Sequence, residues 1–495
     1  MKNYNSFRVR KRNGAYPLET GKFVLYWMQI NSRFHYNFAL EYAVGWANKL
    51  KLPLLIFEGL SCDYPWATAR THQFLLEGMS EHSEAAEGSS ASYLPYVEQR
   101  QGEYSEMLKQ LVEDAALLVT DEYPVFIMRS RNEQLSSEWT IPYYTVDSNG
   151  MIPLGRLEKD PYSAYLFRKV VQREFIESYT HPPEENPLEK VENREEVSFP
   201  EWVSSEALRS AIALKSISDV IRMSSIRQDI GPVSSTEGAR RAGLRRLTEF
   251  LDDDLPVYGD SRNDPDHDRS SRLSPWLHTG KLSEYEIVKK VLNRQPDSWD
   301  LDRIVWSNGS ASGFYNGDQQ ISKFLDELIV WRGVGFHFAH HRSDYDQFES
   351  LPDWALKTLQ KHQSDPRESI YSYEELEQAR THDLVWNAAQ NQLREDGVIH
   401  NYLRMLWGKK VIEWTPDPET ALRYLIDLNN SWALDGRDPN SYSGIFWCFG
   451  RFDRAWQERP VFGKVRYMTS QSARKKLAME EYLKTFGNPS ASDTR

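Results

Sequence analysis

The chain has 495 residues, too many for one compact core, so two or three domains are expected. Its formal charge of −12 confines any nucleic-acid contact to a local basic patch, and two cysteines, Cys62 and Cys448, exclude a four-thiolate metal or cluster site. They give no disulfide framework either, which fits a reducing compartment: cytoplasmic, and nucleoid-associated if the source is bacterial.

The N-terminal "FRVRKRNGAYPLETG" is basic, but no apolar stretch follows it, so it does not read as a secretory signal. No run of about 18 apolar residues suggests a membrane span. From residue 22 the pattern alternates. "KFVLYWMQI" reads as a buried strand, "NFALEYAVGWANKL" as an amphipathic helix, and "LPLLIFEGL" as the next strand. "EHSEAAEGSSASY" reads as a solvated loop. "EYSEMLKQLVEDA" and "ALLVTDEYP" repeat helix and strand, and "IPYYTVDSNGMIP" closes the series. Alternating strands and helices imply a parallel sheet, so an α/β domain is expected over 20–155.

A linker is expected over 156–205, marked by the acidic, proline-rich "SYTHPPEENPLEKVENREEVSFPEW". Beyond it only helical periodicity remains, in "GARRAGLRRLTEFLDD", "DQQISKFLDELIVW", "NYLRMLWGKKVIEW" and "DPETALRYLIDLNNSW" among others. The expectation is an all-helical domain over 206–482 and a disordered tail over 483–495. Aromatic residues make up 13% of the chain, which suits either stacking surfaces for a planar cofactor or bases, or an aromatic-rich core.

In "VYGDSRNDPDHDRSSRLSPWLHTGKLS", residues 257–283, Ser270, Ser271 and Ser274 precede a proline-started helix. Hydroxyls and free N–H groups placed so can face an anion such as a pyrophosphate, although an ordinary helix cap has the same look. The letters carry more. "SSRLSPWLHTGKLS" resembles the FAD-binding signature of the photolyase/cryptochrome family, and Tyr258 matches that family's phosphate-binding tyrosine. "WALDGRDPNSYSGIFW" and "RAWQERPVFGKVRYM" look like the class II DNA photolyases. The resemblance is strong over about 205–480 and looser over 22–175.

That resemblance implies a Rossmann-like α/β antenna domain followed by an all-α FAD-binding domain. It implies light-driven electron transfer from reduced flavin into a pyrimidine dimer in UV-damaged DNA. Ser270, Ser271, Arg272, Leu273 and Ser274, with Tyr258, would hold the cofactor's pyrophosphate. Arg404 and Asp435 would pair beside the flavin ring, and Asn429 would lie near its protonated nitrogen. Trp386, Trp407 and Trp414 match the class II electron-transfer chain; Trp407 and Trp414 are two helical turns apart and share a face. An antenna pigment of deazaflavin or folate type, or none, stays open. A monomer with no membrane partner is expected.

On the substrate side the resemblance points to Trp447 as an aromatic surface for an extruded dimer, and to Arg454 and Arg466 as arginines that enter the DNA. Residues 451–476 carry eight basic and two acidic side chains, a local excess of six positive charges. Against the family's pattern, Trp331 stands where the first of two arginines is usual. Gly333 stands where a substrate-binding glutamate is usual, and Asn401 replaces a glycine. Loss of that glutamate should slow splitting or admit another ligand. Three readings follow: a dimer photolyase, a cryptochrome-like photoreceptor, or a flavoenzyme using space opened at Gly333. His337, His340 and His341 read as surface or capping groups, and no metal site is assigned.

Overall fold

The computed structural model describes residues 4–487. The chain forms two compact units: one takes the residues up to Glu158, with Arg173–Leu247 and Leu273–Asn293. The other takes Lys159–Gln172, Thr248–Arg272 and the chain from Arg294 onward.

The first unit is built on six strands: β1 (Val9–Lys11), β2 (Phe23–Met28), β3 (Leu54–Leu60), β4 (Ser92–Val97), β5 (Ala115–Asp121) and β6 (Tyr143–Val146). Their order is β1-β6-β5-β2-β3-β4, all parallel except the edge strand β1. Strand β2 is buried throughout because both faces of a parallel sheet are covered. Phe23, Leu25 and Trp27 enter one core, while Val24, Tyr26 and Met28 enter the other, the period-two alternation of a pleated strand. Helix α1 (Phe38–Leu50) starts where Asn37 Oδ1 accepts the Ala39 and Leu40 N–H groups.

Strand order reverses between β2 and β5, the place where open α/β sheets commonly bind ligands. Here that loop is closed by its own chain. Asp121 Oδ2 accepts the N–H groups of Gln29, Ile30 and Asn31 at 2.9, 3.0 and 3.2 Å.

Three sequence expectations need correction. The "solvated loop" 81–93 is helix as far as Ala86, the end of α2 (Ala69–Ala86), and enters β4 at Ser92. Histidine and alanine spaced along its buried face carried the helix on, and the glycine and serines that suggested a loop begin only at Gly88. The expected linker contains the 17-residue helix α3 (Ala164–Thr180), which occupies the proline-free stretch between Pro161 and Pro182. The expected tail starts inside the helix Glu480–Phe486; residues 488–495 lie outside the described part.

The second unit is helical. A π turn, Asp326–Trp331, leads into α4 (Arg332–His341). Then follow α5 (Leu384–Asp396), α6 (Asn401–Trp414), α7 (Pro418–Trp432) and α8 (Pro439–Cys448). Asp-Pro pairs start the last two: Asp417 and Asp438 cap, with Pro418 and Pro439 at the first helical position. Glycines then allow α8 to be gripped closely. A Cβ on Gly335 would lie 2.8 Å from Ser443 Oγ and 3.0 Å from the Pro439 oxygen, and one on Gly408 would lie 2.5 Å from Cys448 Sγ. Among the described residues, no helix is long and apolar enough to cross a membrane.

Candidate functional site

The three tryptophans singled out by sequence come together in the second unit. Asp383 caps α5 by accepting the Val385 and Trp386 N–H groups at 3.0 and 3.2 Å, which fixes Trp386 in the first turn. Trp386 is fully buried, and its ring lies parallel to Trp407, 5° between planes and 6.5 Å between centroids. Its other neighbour is Trp414 at 5.6 Å, nearly perpendicular. The order is therefore Trp407, Trp386, Trp414, with the residue from the other helix in the middle. Buried indoles seek partners for their N–H. Trp386 Nε1 donates to the Trp407 carbonyl oxygen at 3.0 Å, and Trp407 Nε1 donates to Gln390 Oε1 at 2.9 Å.

Trp414 ends this row against Tyr371 (5.5 Å) and the exposed His382 (5.3 Å), with the Lys410 ammonium 5.3 Å above its ring. Gln390, Tyr371 and His382 escaped the sequence reading, because nothing in their spacing ties them to the tryptophans.

Arg404, on α6, pairs with Asp435 at 3.1 Å. Asp435 is buried and Arg404 partly so. Asn429 is buried on α7 and donates to Asn430 Oδ1 at 3.2 Å. Asn430 is held in turn by the Arg437 N–H at 2.9 Å and donates to the Tyr442 hydroxyl at 3.1 Å.

Tyr258 is buried edge-on against Phe250 and Phe324, and burial pushes its hydroxyl pKa up to about 12. The phenol is therefore a neutral donor at any working pH. The Arg262 guanidinium lies 5.6 Å over the ring and pairs with Glu327 of the π turn. Burial raises the Glu327 pKa, and Arg262 opposes the rise.

Asp268 organises the serine run: it accepts the Ser270 N–H at 2.9 Å and Arg272 Nε at 2.6 Å. Burial works against the charged Asp268, but Arg272 and Ser270 outweigh it and hold its pKa below the usual range. Arg272 also reaches Asp396 at 3.3 Å and takes a left-handed φ of 54°, a conformation that costs an arginine and is held by its two carboxylate partners. Tyr258, Ser270, Ser271 and Arg272 belong to the second unit, whereas Leu273 and Ser274 belong to the first. The proline-started helix that follows, Ser274–His278, is only five residues long, too short for its dipole to count for much.

Among the residues assigned to substrate, Trp447 is stacked on Trp331, centroids 4.8 Å apart and planes at 11°. Gly333 opens no cavity. A Cβ there would lie 2.5 Å from the ring of Phe167, which is itself buried. The space expected for a ligand is thus held by a side chain 166 residues upstream, invisible to any local pattern. Asn401 is the exposed first residue of α6. Arg454 and Arg466 flank one exposed indole, Trp456, at 5.2 and 5.3 Å. Arg451 leaves the expected basic face: it is buried, bonded to the Ser350 carbonyl oxygen and paired with Asp160. No group of three or more metal-ligating side chains is clustered among the described residues.

No family model matches the chain. Individual proteins do. The deoxyribodipyrimidine photo-lyase of Methanothermobacter thermautotrophicus is 35% identical over 478 residues, 96% of this chain and 97% of that one. The photo-lyase of Oryza sativa subsp. japonica is 32% identical over 495 residues, 96% and 89% of the two chains. Among solved structures, a class III photolyase from Agrobacterium tumefaciens superposes with a TM-score of 0.65 at 18% identity, over 95% of this chain and 87% of that one. A Synechocystis cryptochrome follows at 0.64 and 14%, over 94% and 88%. With relatives above 30% identity along nearly its whole length, the chain belongs to the deoxyribodipyrimidine photo-lyase family.

Proposed function

We propose that the second unit binds FAD and that the protein splits cyclobutane pyrimidine dimers in DNA under blue light. The row Trp407–Trp386–Trp414 carries this reading: Trp386 lies against each of the other two indoles, and its helix cap and N–H bond fix it between them. Core packing alone does not call for oxidisable rings in a row that ends beside an exposed histidine.

The donor set fits the cofactor. The hydroxyls of Ser270 and Ser271, the neutral phenol of Tyr258 and the Arg272 guanidinium suit a pyrophosphate. The Arg404–Asp435 pair suits a ring whose charge changes, since a guanidinium held beside the ring would favour its anionic form. When bound, FAD in its reduced form supplies the light-driven electron. Arg404 and Asp435 would orient the ring, the buried Asn429 amide would offer it a polar contact, and the row of tryptophans would return electrons to it. Trp447 offers the extruded dimer an aromatic face, and Arg454 and Arg466 meet phosphates on either side of Trp456.

A photoreceptor reading, with flavin and tryptophans but no repair, draws on Phe167 filling the place of a substrate carboxylate. Two measurements separate the readings: FAD absorbance at one per chain tests the cofactor, and dimer loss from an irradiated oligonucleotide tests repair. One FAD per chain without light-dependent dimer loss would favour the photoreceptor; no flavin at all would remove both.

A further inference from the structure

We propose that Trp331 determines which DNA the site accepts: its ring covers one face of Trp447 and swings aside before an extruded base stacks there. The inference rests on the reading of Trp447 as the platform for the lesion.

The two indoles are in contact, 4.8 Å between centroids and 11° from parallel. A third flat ring between them requires the indoles to be roughly 7 Å apart, two aromatic contact distances. The stack follows from the backbone. Gly335 lies one helical turn beyond Trp331, and Ser443 lies one turn before Trp447. Because Gly335 has no side chain, the backbones close to within 3.0 Å of where its Cβ would be, at the Asn440 Cα and the Pro439 oxygen. That crossing brings the two indoles, one turn out on each helix, face to face.

The moving ring is Trp331. Trp447 sits at the end of a helix held on two sides: by the Gly335 crossing, and by α6, where Gly408 meets Cys448 and Lys409 Nζ donates to the Cys448 carbonyl oxygen at 2.5 Å. Trp331 instead closes a π turn, the least regular stretch of its helix. Phe167 blocks the neighbouring route past Gly333. An extruded base therefore reaches the covered face of Trp447 only by displacing the Trp331 indole. A base that stays in its duplex never meets it, so the penalty falls on damaged DNA alone.

The test uses the FAD-loaded protein in the dark, with a labelled duplex containing one thymine dimer and the same duplex undamaged. Trp331→Ala should tighten binding of the damaged duplex by about twofold to tenfold, the worth of one aromatic stack, and leave the undamaged duplex unchanged. Trp331→Phe, which keeps a ring, should fall between. Weaker or unchanged binding of the damaged duplex by Trp331→Ala would overturn the proposal, as would equal tightening toward both duplexes. Trp447→Ala tests the underlying reading separately: if it leaves damaged-duplex binding intact, Trp447 is not the platform and both fall. In the free protein, the Trp331–Trp447 stack should add a far-ultraviolet exciton component to the circular dichroism, seen as the same difference spectrum when either single variant is subtracted from wild type. Its absence from the wild type would mean that the stack does not form in solution and would also overturn the proposal.

Discussion

Trp386 donates its Nε1–H to the backbone oxygen of Trp407 while lying parallel to that residue's ring, so one hydrogen bond sets both the distance and the angle between two indoles. Replacing Trp386 with phenylalanine removes the middle indole of the row and leaves Trp407 and Trp414 without a readily oxidisable ring between them. Trp386→Phe should slow light-driven reduction of bound flavin by about tenfold or more, equivalent to ~1.4 kcal/mol on the barrier. Absorbance changes under blue light with an external thiol check it. The flavin content should not fall.

Placing a carboxylate at position 333 is obstructed by Phe167. Gly333→Glu should destabilise the protein by about 1–3 kcal/mol, because a new side chain meets a buried ring 2.5 Å from its Cβ. Phe167→Ala alone should cost about 3–5 kcal/mol. The double variant should lose less than the sum of the two by about 1–3 kcal/mol, as contacting residues do in a double-mutant cycle. Chemical unfolding of the four proteins measures the coupling.

The arginines around Trp456 should act through charge. Arg454→Ala or Arg466→Ala should weaken damaged and undamaged duplexes alike, and should flatten the plot of log affinity against log salt by about one unit each. Arg451→Ala should leave that slope unchanged, because Arg451 is already paired with Asp160 in the interior. Titrations at several salt concentrations distinguish the two classes.

Lys281 gives the first unit a pH signature. Its side chain is buried, with Nζ donating to the Phe74 carbonyl oxygen at 2.5 Å, and burial lowers its pKa to about 7. An unfolded lysine titrates near 10.4. Between about pH 7 and 10 the unfolded chain therefore holds a proton that the folded chain lacks, and stability rises with pH, by up to ~1.4 kcal/mol per unit. Unfolding midpoints of wild type against Lys281→Met should show a rise in the wild type that the variant lacks.

Much of the fold was legible because its signals are local. Apolar runs mark β2 and β3, and helical periodicity marks α6 and α7. The edge strand β1 was missed: three residues, Val9–Lys11, two of them charged and exposed, carry no strand pattern. The helical stretch Ala164–Thr180 was missed because the prolines after it coloured the whole segment. In the candidate site, each residue's type and position were readable, but the contacts were not. Gly333 suggested an opening, and only the packed chain reveals Phe167 in it. Gly335 is where two backbones touch, and no local pattern shows that this contact sets the Trp331–Trp447 stack.

The central claim, light-driven repair, is tested most directly with a thymine-dimer oligonucleotide incubated with the FAD-loaded, reduced protein under blue light and in the dark. The account predicts loss of dimer under light, none in the dark, and a marked drop for Trp447→Ala. Dimer that persists under light, with flavin bound and reduced, would contradict it.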